Sequence, residues 1–276
     1  MHISIHYINL DHSTGRRDYM ENMFDGLGLR ATRLSAIKGS ALSEEECRHY
    51  NPIQYNTSRR SAQEVGCYLS HRAIWKKIAE GDAAFGAVFE DDIKLLPEAV
   101  GLLSDTSWIP DDVAFIKLDS CIIEVEQGAF RDLESTSRRL RRMHSLLHGL
   151  AGYIVSKKFA ATLLERTKIM RAPIDDQVFD PEYGVFRGTK VWQLYPAICY
   201  QELFDQENPF LPATAELSSM QESREHNRYH RPKMPFGWQK ILREIYRPYR
   251  HAKIRFNQFV NRTVYRTVCE TVPFKE

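Results

Sequence analysis

Hydrophobic positions along the chain switch repeatedly between a strand-like and a helix-like period. His2–Asn9 (HISIHYIN) mixes β-branched and aromatic residues with partial alternation and reads as a first strand. Asp11–Gly15 is a turn. Tyr19, Met23 and Leu27 then recur at helical spacing within residues 16–27, and Gly26 and Gly28 mark the stop. Residues 32–36 form a second short strand. Ser43 followed by three glutamates resembles a helix start, and residues 50–60, with Pro52 and Asn56, read as a loop. A helix is predicted over 64–79, stopped by Gly81. Phe85–Glu90 (FGAVFE) is an apolar run that ends in acid, the pattern of a buried strand emerging at a sheet edge. Val113–Leu118 is another buried strand, and residues 146–155 are a third apolar segment with two glycines. Residues 156–166 read as a helix capped by Ser156, Pro173 opens another helix, and Val191–Ile198 reads as a late strand. Strands alternating with helices predict an α/β sandwich with a largely parallel central sheet. Ligands bind such sheets outside the carboxyl ends of the strands.

Composition narrows the class. With 276 residues, 43% hydrophobic and 27% charged, the chain is neither disordered, collagenous nor a disulfide scaffold. No apolar run approaches the ~18–20 residues of a membrane span. The N-terminus lacks a basic stretch ahead of an apolar core, so the protein is expected in the cytosol. Cys47, Cys67, Cys121, Cys199 and Cys269 are widely spaced, with no C-x-x-C, which predicts reduced thiols and no structural zinc. The net charge of +2 hides an asymmetry. Residues 224–276 hold 13 Lys/Arg against 4 Asp/Glu, a net of +9, and residues 1–223 carry a net of −7. The chain thus divides into a body, 1–223, and a basic tail, 224–276. Within the tail Trp238, Ile241, Leu242, Ile245, Tyr246 and Tyr249 fall at helical spacing, and Phe256, Phe259, Val260, Thr263 and Val264 repeat the pattern. A basic amphipathic helix rich in aromatics suits an anionic membrane surface. The same apolar face would also serve to pack the tail on the body. No nucleic-acid motif accompanies the charge, so no nucleic-acid partner is expected.

Three constellations carry candidate chemistry. In Ala87-Val88-Phe89-Glu90-Asp91-Asp92 three carboxylates follow a buried strand, where repulsion and desolvation penalise them. A hard divalent cation would relieve that penalty, and a solvated acidic turn is the plain alternative. In residues 64–75 (EVGCYLSHRAIW), Cys67, Ser70, His71, Ile74 and Ile78 share one helix face, so Ser70 and His71 point to the core or to a cleft. No G-x-S-x-G elbow accompanies them, which argues against a serine hydrolase. In the third, Gly149 and Gly152 suggest a close backbone approach, and Asp175 and Asp176 open the helix after Pro173. These acids read either as helix-cap and dipole partners or as a general base. P-loop, dinucleotide-binding and zincin motifs are absent.

Taken in order, YINLDHSTGRR (7–17), SAIKG (35–39), EVGCYLSHRAIW (64–75), AVFEDD (87–92), HGLAGYIVSKKFA (148–160) and PIDD (173–176) are more specific than any one alone. Across about residues 1–205 the chain resembles glycosyltransferase family 25, the lipooligosaccharide glycosyltransferases and their collagen-galactosylating relatives. The resemblance implies a GT-A-type nucleotide-binding sandwich that uses a UDP-sugar and Mn²⁺ or Mg²⁺. It also implies an inverting transfer of a hexose, most often galactose, to a lipid-linked glycan acceptor in lipooligosaccharide or lipopolysaccharide assembly, at the inner face of the cytoplasmic membrane. On this sequence it implies Asp92 and Glu90 as metal ligands, with Glu90 and Asp91 also near the ribose. Asn9, Leu10, Arg17, Ala36, Ile37, Ser70 and His71 would line the donor site, and Asp175, then Asp176, would be the candidate base. His12 and Asp119 depart from the family pattern; Asp119 is either an acceptor contact or a capped turn. A catalytically inactive sugar- or nucleotide-binding membrane adaptor and a metal-dependent phosphohydrolase are the competing readings.

Overall fold

The computed structural model describes residues 2–51, 60–134, 136–145, 147–204 and 209–211, then 248–249, 252, 255–256 and 259–274. In chain order the elements are β1 (Ile3–Asn9), α1 (Thr14–Gly26), β2 (Ala31–Ser35), α2 (Glu44–Tyr50), α3 (Ala62–Glu80), β3 (Phe85–Glu90), β4 (Ile93–Leu95) and α4 (Ala99–Ser104). They continue as β5 (Phe115–Lys117), β6 (Asp119–Ser120), β7 (Val125–Asp132), β8 (Arg139–Met143), β9 (Gly152–Ser156), α5 (Lys157–Arg166), α6 (Ile174–Phe179), β10 (Trp192–Tyr195), β11 (Cys199–Gln201) and β12 (Val268–Glu270). Every strand and helix expected in the body is present, within a few residues. The helix starts are chemically explicit. Ser43 caps α2 and Ser61 caps α3, each reciprocated by a glutamate three residues on, and Ser156 caps α5.

Among the described residues the main sheet has nine strands in the order β12-β7-β8-β10-β5-β9-β3-β1-β2, and β4-β11-β6 form a small second sheet. In the main sheet six strands run in one direction, and β9, β8 and β12 oppose them. The sheet is therefore mostly parallel in strand direction. The three reversed strands nevertheless make most neighbouring pairs antiparallel, a feature that alternation of strands and helices does not predict.

The central strands β1, β3, β5 and β9 are buried on both faces, which explains their near-continuous apolar sequences. Ile5, Tyr7, Ala87 and Phe89 pack with Met20 and Phe24 of α1 and Leu102 and Leu103 of α4. Val88, Phe115, Tyr153 and Val155 face the other way, onto α3, α5 and α6. Period-two alternation then carries Glu90 to the α3 side, together with Val88.

The helical expectation for 224–276 does not extend to its end. Residues 259–264 are helical, but β12 pairs antiparallel with β7, Val272 is buried in the core, and Phe274 packs on Tyr200 at 4.2 Å between ring centroids. The first apolar stripe, Trp238 to Tyr246, lies outside the described residues. In the second, Phe256, Phe259 and Val264 are about two-thirds exposed.

Candidate active site

One cleft of about 690 Å³ opens where β1, β2 and β3 end, β9 begins and α6 starts. That volume lies within the range of small-molecule sites. Asn9 and Leu10 follow from β1, Ala36 and Ile37 from β2, Ser70 and His71 from α3, and Glu90, Asp91 and Asp92 from β3; all line the cleft, as do Asp175 and Asp176 of α6. Arg17 is not among the lining residues, and Arg16 is. On α1 the two arginines are about 100° apart, so only one can face the acids. Arg16 does so, with Nη1 at 3.0 Å from Asp91 Oδ1 and 4.0 Å from Asp92 Oδ2, while Arg17 lies 3.8 Å from Asp18.

The wall beside Ala36 and Ile37 depends on two glycines. A Cβ on Gly66 of α3 would sit 2.4 Å from the Ile37 carbonyl oxygen, and one on Gly39 would strike the Ala62 backbone. Ser70 completes the junction by accepting from the Ile37 N–H at 2.8 Å and donating to the Gly66 carbonyl at 2.7 Å. Ser70 therefore acts on the loop that forms the cleft wall.

Each acid of the triplet has a different environment. Asp91 accepts from Asn9 Nδ2 at 2.7 Å as well as from Arg16. Burial raises its pKa, and Arg16 and Asn9 pull it back. Glu90 meets two donors. Gln201 Nε2 lies 3.0 Å from Oε2, and His71 Nε2 lies 3.4 Å from Oε1. His71 Nδ1 is 3.1 Å from the Tyr153 hydroxyl, which already accepts from Trp75 Nε1 at 2.8 Å. Tyr153 therefore donates its own proton to Nδ1, and hydrogen-bond balance assigns the Nε2–H tautomer that faces Glu90. Asp92 receives Gln201 Nε2 at 3.1 Å and only the more distant Arg16 charge. Its pKa rises to about 7, from burial first and from Glu90 and Asp91 next.

Glu90 Oε2 and both Asp92 oxygens thus converge on a single Gln201 nitrogen within 3.0–3.3 Å. Carboxylate oxygens gathered this closely, with a charge burden that burial makes unfavourable, fit a hard divalent cation once the Gln201 amide that fills their shared point swings away or turns its oxygen inward. Gln201 was invisible to motif reading, because it comes from a three-residue strand 109 residues beyond Asp92.

At the other side of the cleft, Asp175 Oδ2 accepts from the Gly149 N–H at 3.1 Å, and burial followed by the nearby Asp175 charge raises the Asp176 pKa. Side-chain atoms of His148, Asp175 and Asp176 lie within 4.8 Å of one another, as do those of Cys67, His71 and Glu90. Asp119 is no acceptor contact. It is fully buried and ion-paired to Lys117 at 2.6 Å. Burial pushes the Cys121 thiol up to about 12, which disfavours a nucleophilic role.

Residues 2–178 match the family described as "Glycosyltransferase family 25 (LPS biosynthesis protein)". The chain is 28% identical over 240 residues to the lacto-N-neotetraose biosynthesis glycosyltransferase LgtE of Neisseria gonorrhoeae, covering 82% of this chain and 83% of that one. It is 27% identical over 207 residues to LgtB of Neisseria meningitidis serogroup B, covering 72% and 75%. Among solved structures, a glycosyltransferase involved in glycosylation of the major capsid of PBCV-1 aligns with a TM-score of 0.41 and 10% identity, over 82% of this chain and 100% of that one.

Proposed function

Since the chain belongs to glycosyltransferase family 25, we propose that it is an inverting transferase moving a hexose, galactose in the first instance, from a UDP-sugar to a hydroxyl of a lipid-linked lipooligosaccharide acceptor. The observation that carries this reading is the cleft itself. It joins a focused carboxylate pair, Glu90 and Asp92, to a second pair of acids, Asp175 and Asp176, across one cavity at the strand ends.

Glu90 and Asp92 would hold Mn²⁺ or Mg²⁺, whose chemistry is to offset charge on the departing diphosphate. Arg16 supplies a fixed positive charge at the same end, held against Asp91 and close to the developing UDP charge. Asn9, Leu10, Ala36 and Ile37 form the wall for the nucleoside, with Ser70 holding Ile37 in place. Asp175 takes the proton from the acceptor hydroxyl. One of its oxygens is fixed by the Gly149 N–H, which orients the carboxylate toward the cleft. The hydroxyl oxygen bonds to the anomeric carbon as the carbon–oxygen bond to UDP breaks on the opposite face. The configuration inverts, and no covalent enzyme intermediate is needed. The oxocarbenium-like transition state follows by analogy with glycoside hydrolysis. The inactive-adaptor reading accounts less well for carboxylates kept clustered against their mutual repulsion.

No helix among the described residues is long and apolar enough to cross a membrane. We assign surface attachment, at the inner face of the cytoplasmic membrane, to the basic segment 224–276. Its described part exposes Phe256, Phe259 and Val264.

The deciding experiment incubates the protein with UDP-galactose, UDP-glucose or a UDP-N-acetylhexosamine, with truncated lipooligosaccharide and with Mn²⁺ or EDTA. Acceptor-dependent UDP release and a β-linked product by NMR are expected. Formation of UMP and hexose 1-phosphate without sugar transfer would mark a phosphohydrolase, and binding without turnover an adaptor.

A further inference from the structure

Beneath the Asp175 side of the cleft lies a charge pair that motif reading leaves without a role. Lys117, at the end of β5, and Asp119, at the start of β6, are both buried, with side chains 4% and 1% exposed. Lys117 Nζ lies 2.6 Å from both Asp119 oxygens, and its remaining bond goes to the Gly149 carbonyl at 2.9 Å. Its donors are thereby used up. Asp119 Oδ1 also accepts from the Gly152 N–H at 3.3 Å, at the first residue of β9. Gln193 Nε2 holds the carbonyls of both Lys117 and Asp119, at 3.1 and 3.2 Å, so the pair has no slack in its backbone.

The loop above is clamped from several sides. Gly149 has φ +72°, a left-handed conformation, and a Cβ there would meet Cys121 Sγ at 3.3 Å. The Cys121 thiol donates to the His148 carbonyl at 2.8 Å. With the His148 and Gly149 carbonyls both held from below, the Gly149 N–H is left to bond Asp175 Oδ2 at 3.1 Å.

Burying an ion pair carries a desolvation cost of several kcal/mol per ion, and well-packed neutral replacements are often no less stable. Fold stability alone therefore gives little reason for this pair. We propose that the Lys117–Asp119 pair is the positioning device for Asp175, acting through Gly149: the ammonium fixes the Gly149 carbonyl, and the fixed loop aims its N–H at the carboxylate. This rests on the reading of Asp175 as general base.

The test compares wild type, K117M, K117M/D119N and D175N as full-length proteins. It measures thermal unfolding, steady-state kinetics with UDP-galactose and truncated lipooligosaccharide, and amide hydrogen exchange. K117M alone leaves a buried carboxylate unpaired and is expected to lose stability. K117M/D119N removes both charges, keeps an acceptor for the Gly152 N–H, and should melt within a few degrees of wild type. Its kcat should nevertheless fall by about 10–100-fold, the scale of a misplaced catalytic group, with donor KM within about twofold. The Gly149 amide should exchange at least about tenfold faster, while that of Ile154 in β9 stays protected. Wild-type kcat or unchanged Gly149 exchange in the double variant overturns the proposal. So does failure of that variant to fold, since the pair would then be a requirement of the fold. If D175N itself keeps wild-type kcat, the base reading fails first and takes the positioning role with it.

Discussion

Replacing Asp92 by Asn should stabilise the metal-free protein above neutral pH while removing its response to metal. Burial and the neighbouring acids raise the Asp92 pKa to about 7. In the unfolded chain an aspartate titrates near ~3.9. The native state therefore keeps a proton that the unfolded state gives up between roughly pH 4 and 7. The charged carboxylate disfavours the fold. That penalty is absent below about pH 4, grows through the window, and is complete above about pH 7. A difference of about three pKa units at ~1.4 kcal/mol each gives about 4 kcal/mol. The side chain is 19% exposed and Arg16 stands 4.0 Å away, so local relaxation reduces this to about 2–4 kcal/mol. Asn keeps the size and removes the charge. In EDTA at pH 8 the variant should melt about 4–16 °C above wild type, given ~2–4 °C per kcal/mol for a chain of this size. Near pH 4 the two should coincide. Mn²⁺ should raise the wild-type Tm and leave the variant unmoved, because a ligand that binds only the native state stabilises it. Melting curves across pH 4–8, with and without Mn²⁺, read all of this. A gap that ignores pH, or an Asn variant less stable than wild type at pH 8, would refute the reasoning.

Asp175→Asn should lower kcat by about 10²–10⁴-fold with UDP binding nearly intact, read by kinetics and calorimetry; if Asp176→Asn is the damaging change instead, the base is its neighbour. Arg16→Met leaves the buried Asp91 charge with Asn9 alone and should cost about 3–5 kcal/mol at pH 8, a loss that shrinks in acid as Asp91 takes a proton; denaturant unfolding at pH 8 and pH 4 checks the sign. Phe256→Ser with Phe259→Ser should weaken pelleting with anionic liposomes and leave Tm and soluble-acceptor turnover unchanged, since both rings are exposed. Deletion of residues 268–276, by contrast, should destabilise the body, because it removes β12 and the buried Val272.

What could be read from the sequence was whatever local chemistry dictates. The helix start at Ser43 and the apolar run ending at Glu90 are contiguous signals, and each marks its element within a few residues. The β7–β8 hairpin was not legible. Its second strand reads Arg139-Leu-Arg-Arg-Met143, and those arginines are accommodated by tertiary partners: Arg139 stacks over Phe130 at 3.7 Å, and Arg141 pairs with Glu270 from the chain's end. No periodicity announces such a strand, because its stability lies in contacts that the fold itself creates. The same holds within the cleft. Asn9, Ser70, His71 and the acids sit on elements that the sequence pattern marks, and they line the cleft, whereas Gln201 sits on a short strand of the second sheet that no motif marks. The choice of Arg16 over Arg17 depends on the rotation of α1, and one residue of helical phase is finer than its sparse apolar positions resolve.

The triplet at the end of β3 also shows why three adjacent carboxylates need not share one role. Alternation along the extended chain puts Glu90 on the α3 side, where His71 and Gln201 meet it. Asp91 turns toward Asn9 and Arg16, which hold it with one neutral and one charged donor. Asp92 shares the Gln201 amide and keeps only a distant guanidinium. The least compensated acid is therefore the one most favoured to take an external cation, because binding relieves the largest uncompensated charge. Glu90 shares the Gln201 nitrogen with Asp92 and so stands where it can complete that ligand pair. Asp91 is already paired with its own arginine, and it holds Arg16 in place at the cleft wall. The order of the acids thus follows from which neighbour each one meets. Arg16→Met would remove the guanidinium from both aspartates, so Asp91 should join Asp92 as an uncompensated acid and Asp92 should lose its last cationic neighbour.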